Sequence, residues 1–116
     1  MHSFRKSNEL LEREIKVSPL ASQTFSKSYR YFCKGVAPSF MDYGKGCYIY
    51  DVDGNKFIDY MCALGPITVG YNNPIVNKAV IKQVKKFSSG SLQSELEVQL
   101  AEKLCQIIPC AKWLDL

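Results

Sequence analysis

The sequence is short of the residues from which most enzymatic sites are built. Its one histidine, His2, lies at the N-terminal edge, which excludes Ser-His-Asp, Cys-His and histidine-rich metal chemistry from this chain. The five cysteines, Cys33, Cys47, Cys62, Cys105 and Cys110, are odd in number and include no C-x-x-C pair, so neither a disulfide framework nor a zinc site is indicated. They read as buried or half-buried thiols. No apolar run approaches the roughly 18 residues that a bilayer span needs, and the opening stretch from Met1 to Val17 becomes charged where a signal peptide would turn apolar. No membrane role is expected, and a cytoplasmic location follows. Internal repeats and low-complexity segments are also missing. The net charge of +4 is dispersed, and its densest cluster, Lys82, Lys85 and Lys86, reads as a solvated helix face rather than a nucleic-acid surface.

What is present is a globular composition, 47% hydrophobic over 116 residues, enough for one modest domain or part of one. Asn8 to Val17 alternates charge with Leu10, Leu11, Ile15 and Val17, which suits a short amphipathic helix ended by Ser18-Pro19. Ala21 to Phe40 scatters aromatics without a period and reads as extended chain and loop. From Gly46 to Tyr60 two β-prone runs flank Asp53-Gly54, which predicts a hairpin because glycine accepts positive φ at little cost. Tyr48, Tyr50 and Val52 would share one face of its first strand, while Ile58 and Tyr60 would point opposite to Phe57 and Asp59 in its second.

The stretch from Met61 to Pro74 is broken by Gly65, Pro66 and Gly70, yet apolar between them. An apolar loop requires protein or ligand over it. Asn73 and Pro74 are a suitable N-cap and first helical residue for a helix to about Phe87, striped by Val76, Ala79, Val80, Val84 and Phe87. Ser94 to Glu97 fits a capping box before a second helix that carries Leu96, Leu100 and Leu104 and stops at Pro109. The order is helix, extended segment, hairpin, loop, helix, helix. A two-stranded hairpin is marginal alone, so an α+β part of a larger fold is expected. Its divisions would be 1–20, a helical arm; 21–73, the extended segment, hairpin and loop; and 74–116, the two helices.

Tyr50 to Tyr60, then Leu64-Gly65-Pro66, then Gly70 to Pro74, then Glu95 to Glu102 together resemble the N-terminal region of class III aminotransferases. The order and spacing are most similar to glutamate-1-semialdehyde aminomutases. The resemblance runs from about Ser22 to Ala111 and implies a fold-type I transferase, a homodimer that moves an amino group between small-molecule donor and acceptor through pyridoxal phosphate. It further implies that the loop matching Cys62 to Pro66 lines the substrate pocket, so Ala63, Leu64, Gly65 and Pro66 are the candidate site residues. Ala63 and Leu64 depart from the serine and tryptophan common in the aminomutases, which removes a hydroxyl and a stacking surface and implies a different substrate. Tyr71-Asn72-Asn73 replaces a histidine-containing turn.

The resemblance places the Schiff-base lysine, the carboxylate facing the pyridine nitrogen and the phosphate-binding turn beyond this sequence. Lys56 and Lys78, on a hairpin and a solvated helix face, are not catalytic candidates. No catalytic, cofactor-binding or metal residue is therefore assigned, no cofactor is expected on this chain alone, and inactivity in isolation is expected, with a non-enzymatic interaction module or a pseudogene product as the alternative. Trp113 to Leu116 reads as the product of a one-base frameshift: the family-like Lys-Met-Val-Arg-Phe-Val-Lys, written with plausible codons and one adenine deleted, becomes Lys-Trp-Leu-Asp-Leu and a stop. The DNA beyond Leu116 tests that expectation.

Overall fold

The computed structural model describes residues 2–112; the frameshift expectation for Trp113 to Leu116 lies outside them. The chain divides into two compact units, Met1–Asn77 and Lys78–Leu116.

The first unit opens with helix α1, Arg5–Ile15, which starts three residues before the expected Asn8. The reason lies far along the chain: the Asp53 carboxylate accepts hydrogen bonds from the N–H groups of Lys6 and Ser7, each at 2.9 Å. A helix leaves its first N–H groups unpaired, and an anion there is favourable. The side chain of Phe4, at the N-cap, cannot supply that acceptor. Asn55 adds a second tie through its Nδ2, which donates to the Ser3 carbonyl at 2.6 Å. Leu11 turns inward and is 1% exposed, while Val17 is 84% exposed. The amphipathic reading of α1 thus holds for Leu11 and fails at its end.

From Ala21 to Phe40 the chain is irregular, with single turns of 3-10 helix at Phe25–Lys27 and Tyr29–Tyr31. Ser28 is fully buried, and its hydroxyl donates to the Leu20 carbonyl at 2.8 Å. Ser7 is buried too, its Oγ accepting the Ser39 N–H at 2.8 Å. The core here is small, Leu11 and Ala21 with paired polar groups around them.

The expected hairpin is present, and it belongs to a larger sheet. Strands β1 (Met41–Lys45), β2 (Tyr48–Asp51) and β3 (Lys56–Ile58) form an antiparallel sheet in that order. The β1 strand adds to the hairpin that the residues alone predicted: Asp42, Gly44 and Lys45 are weak strand formers, yet Lys45 pairs with Tyr48 across a two-residue connection whose Gly46 sits at φ +59°. That positive φ suits a tight hairpin turn. Between β2 and β3, Asp51 accepts the N–H groups of Asp53 at 3.0 Å and Asn55 at 2.7 Å, and Gly54 takes φ +85°. The Asp-Gly turn is therefore correct, with Asp51, 4% exposed, as its organiser.

Register places Tyr43 opposite Tyr50 and Tyr48 opposite Ile58 on one sheet face. The Tyr43 and Tyr50 rings stack at 4.3 Å, and the Lys56 ammonium lies 3.7 Å from the Tyr48 ring centre. Ile49 and Phe57, half-buried and mutually paired, occupy the opposite face.

Helix α2, Pro74–Val84, starts in the first unit and ends in the second. Asn73 caps it as expected, its Oδ1 accepting the N–H groups of Ile75 at 3.0 Å and Val76 at 3.3 Å. Helix α3, Glu95–Ile107, carries the expected capping box, the Ser94 N–H donating to Glu97 Oε1 at 2.8 Å. The apolar stripes of both helices, Val76, Val80 and Val84 on one and Leu96 and Leu100 on the other, are exposed.

Candidate functional site

Beyond β3 the chain cannot continue straight, because Asp59 redirects it. The Asp59 N–H donates to the Cys47 carbonyl at 2.9 Å, and its side chain then bends back onto the following residues. Oδ1 accepts the Met61 N–H at 2.8 Å, while Oδ2 accepts the Tyr71 hydroxyl at 2.6 Å. The Tyr71 hydrogen bond comes first in holding the Asp59 carboxyl below the usual carboxylate range; burial opposes it, and the N–H groups of Met61, Cys62 and Ala63 add to it. Burial first, then the bond to Asp59 and its charge, push Tyr71 up to about 12. At neutral pH the pair is a neutral donor on an anionic acceptor, the stronger kind of hydrogen bond.

The loop that follows is left-handed. Cys62, Ala63, Leu64 and Gly65 have φ of +47°, +51°, +66° and +114° in succession. For non-glycine residues that conformation costs about 1–2 kcal/mol each, so three in a row persist only if other interactions hold them. The holds are visible: Leu64 N–H to the Met61 carbonyl at 2.8 Å, Gly65 N–H and Ile67 N–H to the Cys62 carbonyl at 2.9 and 3.2 Å, and the Asp59 carboxylate at the loop's base.

Tyr71 is fixed in turn. Its backbone exchanges two hydrogen bonds with Gly46, at 2.8 and 3.0 Å, and its ring lies against the buried Gly44, where a Cβ would fall 2.6 Å from Tyr71 Cδ1. Asn72, at φ +53°, donates from Nδ2 to the Gly44 carbonyl at 2.6 Å. Sheet, loop and Tyr71 thereby form one hydrogen-bonded unit.

Beside it opens an apolar groove of about 730 Å³. Ile49 and Phe57 of the sheet, Phe32 and Phe40 of the irregular segment, and Met61 and Ala63 of the loop line it, with Asp51, Asp59 and Tyr71 at its polar edge. A mostly apolar cleft of this size with few polar groups is the usual form of a small-molecule site. Of the candidates, Ala63 lines the groove; Leu64, Gly65 and Pro66 are exposed. The sequence reading missed Asp59 and Tyr71, although an aspartate two residues before an N–H it can cap is a recognisable turn signal.

Comparisons with known proteins agree with the resemblance. The family model for class-III aminotransferases matches residues 31–114. The glutamate-1-semialdehyde 2,1-aminomutase 2 of Lachnoclostridium phytofermentans is 41% identical over 105 residues, covering 90% of this chain and 24% of that protein. The 3-aminobutyryl-CoA aminotransferase of Cloacimonas acidaminovorans is 39% identical, over 92% of this chain and 26% of its own length. In structure, the FumI protein of Sphingopyxis sp. MTA144, solved with its pyridoxal phosphate, superposes with a TM-score of 0.83 at 30% identity, covering 94% of this chain and 26% of that one. The chain thus spans about a quarter of the length of the relatives it matches, and its helices and antiparallel sheet are the N-terminal segment of their fold. It belongs to the class-III aminotransferase family, whose members depend on pyridoxal phosphate.

Proposed function

We propose that this chain forms the substrate-mouth portion of a pyridoxal-phosphate-dependent aminotransferase or aminomutase, a cytoplasmic homodimer acting on a small-molecule amino donor and acceptor. The observation that carries the reading is the strained loop from Cys62 to Gly65, held beside an apolar groove at the position where the family resemblance puts the substrate pocket. Strained backbone that its surroundings over-determine clusters at binding sites. With Ala63 on the groove side and no hydroxyl or indole there, the loop offers shape and apolar surface to a substrate rather than hydrogen bonds.

The cofactor itself does not fit the described residues alone. Every lysine is exposed, and Lys27, on a 3-10 turn, is the one that borders the groove. An amine that forms a Schiff base needs a desolvated or charge-tuned setting. Pyridoxal phosphate, when bound, supplies the electron sink for amino transfer; what this chain contributes is the wall of the pocket.

The test is a chimera in which residues 22–111 replace the matching segment of the Lachnoclostridium phytofermentans aminomutase. The expected result is a protein that binds pyridoxal phosphate and transfers an amino group, with altered preference among acceptors. A chimera that folds and holds the cofactor but turns over no acceptor would refute the reading.

A further inference from the structure

Successive N–H groups in a left-handed turn converge on one side and make a concavity that binds anions. In this chain that concavity is already filled by the chain's own carboxylate. Met61 N–H donates to Asp59 Oδ1 at 2.8 Å, the N–H groups of Cys62 and Ala63 face the same carboxyl, and the second oxygen takes the Tyr71 hydroxyl at 2.6 Å. Tyr71 is itself anchored to the β1–β2 turn by its two-way bridge with Gly46.

We propose that Asp59 is a positioning residue that acts as an internal anion for the loop from Met61 to Gly65, joining its amides to Tyr71 and so fixing the backbone that shapes the substrate mouth. The proposal rests on the functional reading above for the word substrate, and for the rest on the two hydrogen bonds to the Asp59 carboxylate, with the nearby N–H groups of Cys62 and Ala63 adding electrostatic support. It explains why three consecutive non-glycine residues tolerate positive φ. It also gives Tyr71 a role that its sequence position does not suggest: holding the free oxygen of the carboxylate so that the other stays on the loop.

The distinguishing experiment is chemical rescue in the full chain, read by amide hydrogen exchange. In Asp59→Ala the amides of Met61 to Ala63 should exchange at least tenfold faster, while those of Asp53 and Asn55, held by Asp51 in the neighbouring turn, keep their rates. Formate, a carboxylate small enough for the vacated space, should restore protection in a saturable manner, and chloride should do so less well. Tyr71→Phe should loosen the same amides more weakly, since Met61 keeps its acceptor. Unchanged loop exchange in Asp59→Ala overturns the proposal, as does equal loss at both turns, which would make Asp59 a general fold residue, or a lack of formate rescue. In the chimera, Asp59→Asn should lower kcat/KM with the cofactor spectrum unchanged. Loop exchange that responds as expected while the chimera transfers no amino group would refute the functional reading and leave the positioning role standing.

Discussion

Replacing Gly44 by alanine sets two physical effects of opposite sign against each other. By propensity alone, a glycine in a strand costs roughly 0.5–1 kcal/mol relative to alanine, so Gly44→Ala ought to stabilise β1. Sterically it ought to do the reverse. The new Cβ would lie 2.6 Å from Tyr71 Cδ1 and 2.8 Å from Tyr71 Cβ, and those atoms are the root of the side chain, not a flexible end. Tyr71 cannot retreat freely, because its backbone is paired with Gly46 and its hydroxyl with Asp59. Overpacking of this kind costs about 1–3 kcal/mol, and losing a hydrogen bond to a charged group about 1.5–3, the lower end applying in a half-exposed site. Net of the propensity gain, the bridge should weaken by about 1.5–4 kcal/mol, which is roughly a 10- to 1,000-fold faster exchange of the Gly46 and Tyr71 amides. The control is the double variant: with Tyr71→Ala already present, Gly44→Ala should be neutral or protective. Slower exchange in the single variant, or the same acceleration in both backgrounds, would refute the steric argument.

The other expectations are smaller or simpler. Asp53→Ala should fray the start of α1, seen as faster exchange of the Lys6 and Ser7 amides and a loss of helical circular dichroism, because both amides lose their acceptor. Arg5→Ala should change stability by no more than about 0.5 kcal/mol, since its 2.8 Å pair with Glu9 is exposed. The Asp59–Tyr71 pair makes the loop pH-dependent at both ends. Tyr71, raised from 10 to about 12, contributes stability that is complete below pH 10 and lost as pH rises from there towards 12, because the unfolded chain releases that proton first. Asp59, lowered, contributes stability present above its ordinary value near 4 and lost as pH falls through the folded one. The protection factors of the loop amides, exchange corrected for the intrinsic rate at each pH, should therefore show a plateau between those limits, and factors that stay flat through pH 11 would contradict the Tyr71 assignment.

The features that the sequence disclosed are those whose cause lies within a few residues. Asn73 caps α2 with its own oxygen, Ser94 and Glu97 cap α3 with theirs, and Gly54 takes the positive φ that an Asp-Gly turn needs. Each was legible because the residue that does the work is also the residue that carries the signal. The start of α1 was not, since its cap is Asp53, far along the chain and on another element. Strand β1 was hidden for a related reason: Met41 to Lys45 has little strand propensity, and it pairs because Gly46 turns it back onto a strand that does. Gly44, the weakest residue in that strand by propensity, is there to admit the Tyr71 ring. The site follows the same rule. The family resemblance pointed to Ala63 through Pro66, the segment that would meet a substrate, but nothing in Cys62, Ala63 or Leu64 favours a left-handed backbone. Its own backbone hydrogen bonds and the Asp59 carboxylate at its base hold that conformation, with Tyr71 on the carboxylate's other oxygen, and the sequence contexts of Asp59 and Tyr71, a strand end and a turn, look purely structural. A substitution survey confined to the loop's own side chains would therefore miss the groups that set its shape, and Asp59 and Tyr71 are where a change in the mouth's geometry has to begin.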